Sequence, residues 1–374
     1  MHIATYQPSA IYPDVLPLTA TDYADGVRAF IEQFLARGFE DAAIYQFGQM
    51  RHPGISDVDL LIVTRDAEWR QAREAARAIA RSSRLLEYLF VHAPDVVGES
   101  ILPHLFVLHS QIESRLLYGA RDPLAAVEPP CWDTGVALIQ NVTWDSCHRI
   151  DCLNMNAVPV GLRHVLYVLH HLLLTAQRGN ELLDAPVSIS LATEPIRQEI
   201  LRAAPEAREA LCRRFIAESV TLLNTVDARL DRQLLGSLPP APLVTVASHC
   251  HFCVAPLDAP LDTAARWFDR IWGGAQIART PLYLSVFTAA LARRLSAYLP
   301  DFSMFRLPPE YEAAAETIDT SLYARHLAQA IELCHRFRVD YCFPLPFGLH
   351  GGCSLRQRLM RSLRRQALAR HLRN

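Results

Sequence analysis

The sequence predicts an α+β fold: a small mixed β-sheet domain at the front of the chain, followed by a mostly α-helical C-terminal region. Three observations carry this. Over the first third, short apolar runs bounded by Gly and Pro alternate with helical patterns. From Cys131 onward, apolar residues recur almost throughout at helical spacing. At 374 residues the chain is long enough for two or three domains.

The elements follow in order. "PLTATDYADGVRAFIEQFLARGF" reads as the first helix: Thr21 or Asp22 can cap it, Val27, Phe30, Ile31, Phe34 and Leu35 form its apolar stripe, and Gly38 stops it. "DAAIYQFG" is a short strand ending at Gly48, and "DVDLLIVT" is the next strand. "AEWRQAREAARAIARSS" is an Ala/Arg-rich helix, and "LLEYLFVHAP" is read as a third strand stopped by Pro94. "LLYGARDPLAAVEPP" closes this unit, placing the first domain at 1–130.

The helical domain is expected at 131–352. It contains "VGLRHVLYVLHHLLLTAQRG", whose stripe ends at Gly179, then "EPIRQEILRAA", "EAREALCRRFIAESVTLLNTVDARLDRQLL", "TAARWFDRIW", "LSVFTAALARRLSAYL" and "LYARHLAQAIELCHRFR". "SLPPAP", at 237–242, is read as a hinge, and "LVTVASHCHFCVA" alternates as a strand. The tail at 353–374 carries seven Arg and no acid, with Leu355, Leu359, Leu363 and Ala367 at i, i+4 spacing.

Composition narrows the chemistry. The net charge is −2, so the whole-chain balance does not point to a nucleic-acid partner. All 37 basic residues are Arg. Without Lys, no Schiff base or Lys phosphate clamp is available, and anions fall to Arg, His, backbone N–H groups or a metal. Nine scattered Cys in a long chain read as reduced and cytoplasmic. "MHIATYQPSAIYPDVLP" lacks a basic n-region and apolar h-region, and no apolar run reaches the ~18–20 residues of a membrane span.

The sharpest chemical signal is "GISDVDLLIV". Asp57 and Asp59 stand at i, i+2, so on a strand both carboxylates face one way. Leu61 and Val63 continue that face inward. Two acids this close repel unless a cation neutralises them, and Mg²⁺ suits hard oxygen ligands completed by substrate phosphates.

With "FGQ", the turn "HPG" and "SDVDLLIV", the sequence resembles the nucleotidyltransferase superfamily, the fold of DNA polymerase beta and the minimal nucleotidyltransferases, over about residues 20–125. The resemblance implies a Mg²⁺-dependent transfer of a nucleoside monophosphate from a nucleoside triphosphate, with two Mg²⁺ ions at the reacting phosphate. It implies Asp57 and Asp59 as metal ligands and catalytic residues. Gly48 and Gln49 would contact the triphosphate, Gln49 standing where the family has Ser. Ser56 would close the turn, and Arg51 in the same loop is the natural phosphate contact. A third carboxylate is expected on a neighbouring strand. Glu87 is read as that ligand or base, being the nearest carboxylate upstream of Phe90, and Asp95 follows the strand. His52 and Arg121 are further candidates for nucleotide contact, beside a purely structural role.

Other clusters carry two readings each. His249, His251 and Cys253 share a strand face and match Zn²⁺ ligand types, or fill a core. His164, His170 and His171 lie on one helix, with His164 and His171 able to share a face. The Arg-rich tail is an exposed helix, a docking helix for an anionic membrane or a partner, or a phosphate-binding arm.

The expected function is therefore a nucleotidyltransferase acting on a hydroxyl or phosphate of an acceptor, a small molecule rather than a polynucleotide. The protein is expected in the cytoplasm, with the tail allowing a peripheral membrane contact. The alternative is a catalytically degenerate member of the same fold that binds a nucleotide or partner.

Overall fold

A computed structural model describes residues 8–48, 50, 52–109, 113–127, 134–155, 159–239, 243–247, 250–257, 282–299 and 306–337. The chain is a mixed α/β protein rich in helix, and it divides into two compact units. One, the sheet unit, comprises Val15–Cys131 together with the stretch that begins at His326. The other, the helical unit, comprises the residues up to Asp14 and Trp132–Arg325.

In the sheet unit, α1 (Ala20–Leu35) starts at Thr19, whose hydroxyl accepts from Asp22 N while the Asp22 carboxylate accepts from Thr19 N. This reciprocal capping satisfies two N-terminal donors. β2 (Ala43–Phe47) and β3 (Asp59–Thr64) pair antiparallel, Phe47 opposite Asp59. α2 (Trp69–Ile79) follows, then α3 (Arg84–Leu89), β4 (Asp95–Gly98), α4 (Leu102–His109) and β5 (Ser114–Tyr118). The strand order is β4-β3-β2-β5, with β3 and β4 parallel and the other pairs antiparallel.

The expected third strand needs correction. "LLEYLFVHAP" begins as α3, because Ser83 caps it from Leu86 N and Leu86 and Leu89 bury one face at a spacing of three. The strand comes later, after Pro94.

Phe30, Phe34 and Trp69 are fully buried, as are Ile44, Leu60 and Leu61 of the sheet. Each such side chain contributes about 1.5–3 kcal/mol by leaving water. Trp69 Nε1 donates to Val96 O, tying α2 to β4. Its ring meets Phe337 edge-on, centroids 5.7 Å apart, at the end of α11 (Ser321–Phe337).

The helical unit opens with β1 (Ala10–Tyr12), which pairs in parallel with β6 (Pro159–Gly161). Asp14 then accepts from Arg163 N at 2.8 Å, placing a carboxylate at the start of α6 (Leu162–Glu181). α6 packs between α5 (Thr134–Met155) and α8 (Pro205–Leu235), with α7 (Thr193–Arg202) alongside. Gly179 does not end α6. A side chain there would meet Val226 and Asn141, so it is the point of close helix approach.

β7 (Leu243–Ala247), β8 (Cys250–Ala255) and β9 (Leu282–Ser285) form a second small sheet, so the alternating "LVTVASHCHFCVA" is two antiparallel strands. β9 leads into α9 (Val286–Leu295), capped by Ser285, and α10 (Pro309–Glu316) packs against it. In the expected hinge, Leu238 is partly buried and Pro239 O accepts from Tyr311 OH at 2.6 Å. Residues 240–242, "TAARWFDRIW", His249 and the 353–374 tail lie outside the described residues. Among the described residues no helix is long and apolar enough to cross a membrane.

Candidate metal and phosphate site

The acid pair sits where the sheet begins. Val58 N donates to Leu89 O, so the entry to β3 is tied to the end of α3. Alternation on either side of Val58, which is buried, turns Asp57 and Asp59 to the opposite face, half-buried. The chain leaving α3 then brings His92 across: its Nε2 lies 2.8 Å from Asp59 Oδ1. Donor atoms of Asp57, Asp59 and His92 all lie within 4.8 Å of one another. Two carboxylates and an imidazole are a divalent-metal donor set, the oxygens suiting Mg²⁺ and the nitrogen favouring a transition metal such as Mn²⁺.

His92 was not legible as part of this group, because its approach depends on α3 being a helix. The Asp59 carboxylate hydrogen bond, with the charges of Asp59 and Asp95, raises the His92 pKa to about 10 against the opposing effect of burial. Pairing with Asp59 thus favours the protonated ring, and a metal bound by this group would have to displace that proton. The side chains of His92 and Asp59 remain 55% and 44% exposed, so the pair is open to solvent and to a ligand.

The turn before the acids is held from three sides. Gly54 has φ of +82°, which glycine adopts without a side-chain penalty. Tyr23 OH accepts from Gly54 N and donates to Ser56 O, while Tyr88 OH donates to Gly54 O and accepts from Leu16 N. Ser56 Oγ accepts from His52 N at 3.3 Å, closing the turn on itself.

Gly48 ends β2 with φ of +66° and donates its N–H to Glu113 O at 2.8 Å. Gln49 and Arg51 lie outside the described residues. Glu87 is exposed on the first turn of α3 and is not among the donors gathered with the acid pair. Asp95 opens β4, in parallel register with Leu61, on the strand next to the acids. Arg121 pairs with Glu99 at 2.7 Å on the surface.

Of the other clusters, His251 and Cys253 belong to β8. His164, Tyr167 and His171 do share one face of α6, their rings meeting in sequence.

Set against known proteins, the chain matches no family model, and neither a curated protein nor a solved structure matches it.

Proposed function

We propose that the chain is a divalent-metal-dependent nucleotidyltransferase that moves a nucleoside monophosphate from a nucleoside triphosphate to a hydroxyl or phosphate of a small-molecule acceptor. The observation that carries this reading is the convergence of Asp57, Asp59 and His92 donors within 4.8 Å at the open end of β3. The strand order supports it: a strand ending at Gly48, an antiparallel acid-bearing strand, then helices and a parallel strand. That arrangement agrees with a nucleotidyltransferase sheet, which is itself part of the proposal.

Asp57 and Asp59 would hold Mg²⁺, and Asp95 is the carboxylate on the adjacent strand able to join them. Bound there, the metal supplies charge to the attacking and leaving oxygens of the phosphoryl group. The protein's part is placement. The Tyr23–Gly54–Tyr88 clamp fixes the approach to the acids, and Gly48 turns the backbone where Gln49 and Arg51 would meet the triphosphate.

The test is pyrophosphate release from each nucleoside triphosphate with Mg²⁺ or Mn²⁺ in the presence of candidate acceptors. Asp57→Asn/Asp59→Asn should abolish it, and release indifferent to that double change would falsify the reading.

A second reading, a nucleotide-binding protein without turnover, is favoured by one observation: Asp59 already has a partner in His92, whose Nε2 lies 2.8 Å from its Oδ1. Saturable triphosphate binding without pyrophosphate release would establish it.

A further inference from the structure

The helical unit holds a second concentration of chemistry, remote in sequence from the acid pair. His171 of α6 stacks on His148 of α5 with ring centroids 4.4 Å apart, and Tyr167 tilts onto it at 4.2 Å. Trp144 of α5 lies nearly parallel to His171, 9° between planes and 5.7 Å between centroids. The Arg178 guanidinium carbon stands 5.7 Å over the Trp144 ring. His148 and Arg197 of α7 are buried, whereas Trp144, Tyr167, His171 and Arg178 are half-buried. These rings and the Arg178 guanidinium pack on one another, and part of each half-buried side chain remains in contact with solvent.

The neighbours that act on His171 are His148, His170, Arg197 and Arg178. Burial first, and these groups after it, press its pKa well below the ordinary value, so His171 is neutral. Glu181 acts on Arg178 and Glu194 on Arg197, each from the Arg's own helix. The buried acids of α5 and α8, Asp145, Asp227 and Asp231, have interactions of their own. Burial opposes the charge on both arginines. Arg197 is only 7% exposed, and its Nε has no hydrogen-bond partner among the described residues. His171 Nδ1 is likewise unpartnered there. Guanidinium donors left unused inside a protein are costly, and an anion that accepts from them removes the cost.

We propose that this face of α5, α6 and α7 is a binding site for a small organic anion with a flat ring. Arg178 and Arg197 take its phosphate or carboxylate, and Trp144, Tyr167 and His171 stack on its ring. Stacking on aromatic faces and planar-fork recognition of the acid group are what these residue types do best. The site needs neither metal nor the acid pair, so it stands independently of the transferase reading.

The experiment uses the full chain carrying Asp57→Asn/Asp59→Asn, without divalent cations, so that the first site does not contribute. Calorimetric titrations with phenyl phosphate, benzoate and benzyl alcohol are compared. One saturable site for phenyl phosphate or for benzoate is expected, and none for benzyl alcohol; whichever acid binds names the group recognised. Arg178→Gln and Trp144→Ala should each weaken that binding by about tenfold or more, as loss of one charge-assisted or stacking contact does. Arg178 is half-buried, so its variant decides the matter if Arg197→Gln fails to fold. The proposal is overturned if neither acid binds, if benzyl alcohol binds as well, or if Arg178→Gln binds as tightly as its parent.

Discussion

His92 and Asp59 form an ion pair, Nε2 to Oδ1 2.8 Å, between the segment leaving α3 and the first residue of β3. The imidazole sits where a third ligand to a cation shared by Asp57 and Asp59 would sit. A nitrogen donor selects Mn²⁺ over Mg²⁺. Titration of the protein with Mn²⁺, following the free ion by electron paramagnetic resonance, should show binding that Asp57→Asn/Asp59→Asn removes. His92→Ala should weaken it by about 10–100-fold, the usual effect of altering a metal site's coordination. Unchanged Mn²⁺ affinity in His92→Ala would show that the pair is only an ion pair.

Asp95 and Glu87 are separable by mutation. Parallel register pairs Asp95 with Leu61, about 7 Å along the strand from Asp59 and one strand over. Glu87 is exposed on α3. Asp95→Asn should lower pyrophosphate release by about 10–100-fold, as loss of a ligand carboxylate does. Glu87→Gln should leave release within about twofold of the parent. The reverse ranking would restore Glu87 as the third acid.

Gly54 should tolerate no side chain. A Cβ there would run into Leu16 O, and the positive φ adds backbone strain. Gly54→Ala is expected to cost about 1–3 kcal/mol in chemical denaturation. Tyr88→Phe and Tyr23→Phe, which each remove hydroxyl bonds to the same turn, should each cost about 1–2 kcal/mol.

His104 of α4 and His326 of α11 share a hydrogen bond, Nδ1 to Nδ1 3.0 Å. Burial lowers the His104 pKa, so the unfolded chain takes up its proton more readily than the folded one. The stability this neutral ring contributes is complete above the unfolded value of about 6.5 and is lost as pH falls from there toward the depressed folded value. Thermal midpoints measured from pH 7.5 to 5 should fall more steeply for the parent than for His104→Phe. Equal slopes would remove this pair as a source of acid sensitivity.

The sheet unit was legible wherever pattern and length agreed. The alternation around Asp57 and Asp59, the strand ending at Gly48 and the striped α1 came through, because each signal is local; the cap of α1 is Thr19 rather than Thr21 or Asp22, with Asp22 closing the capping box from inside the first turn. Two features were not local. "LLEYLF" has strand-like composition, and the Ser83 cap with Leu86 and Leu89 on one buried face makes it a helix. That choice carries His92 to Asp59 and moves the strand to Asp95, so one misread element hid both. Gly179 looked like a helix stop because glycine commonly is one; helix crossing uses the same missing side chain.

The sheet unit's last element comes from far down the chain. His104 and His326 are 222 residues apart, and Phe337 reaches Trp69 across a still longer separation. At bacterial or eukaryotic elongation speeds, about 5–20 residues per second, that gap takes roughly 10–45 s to synthesise. Throughout that interval the nascent sheet unit lacks the ring that Phe337 lays against Trp69 and the imidazole that His326 brings to His104.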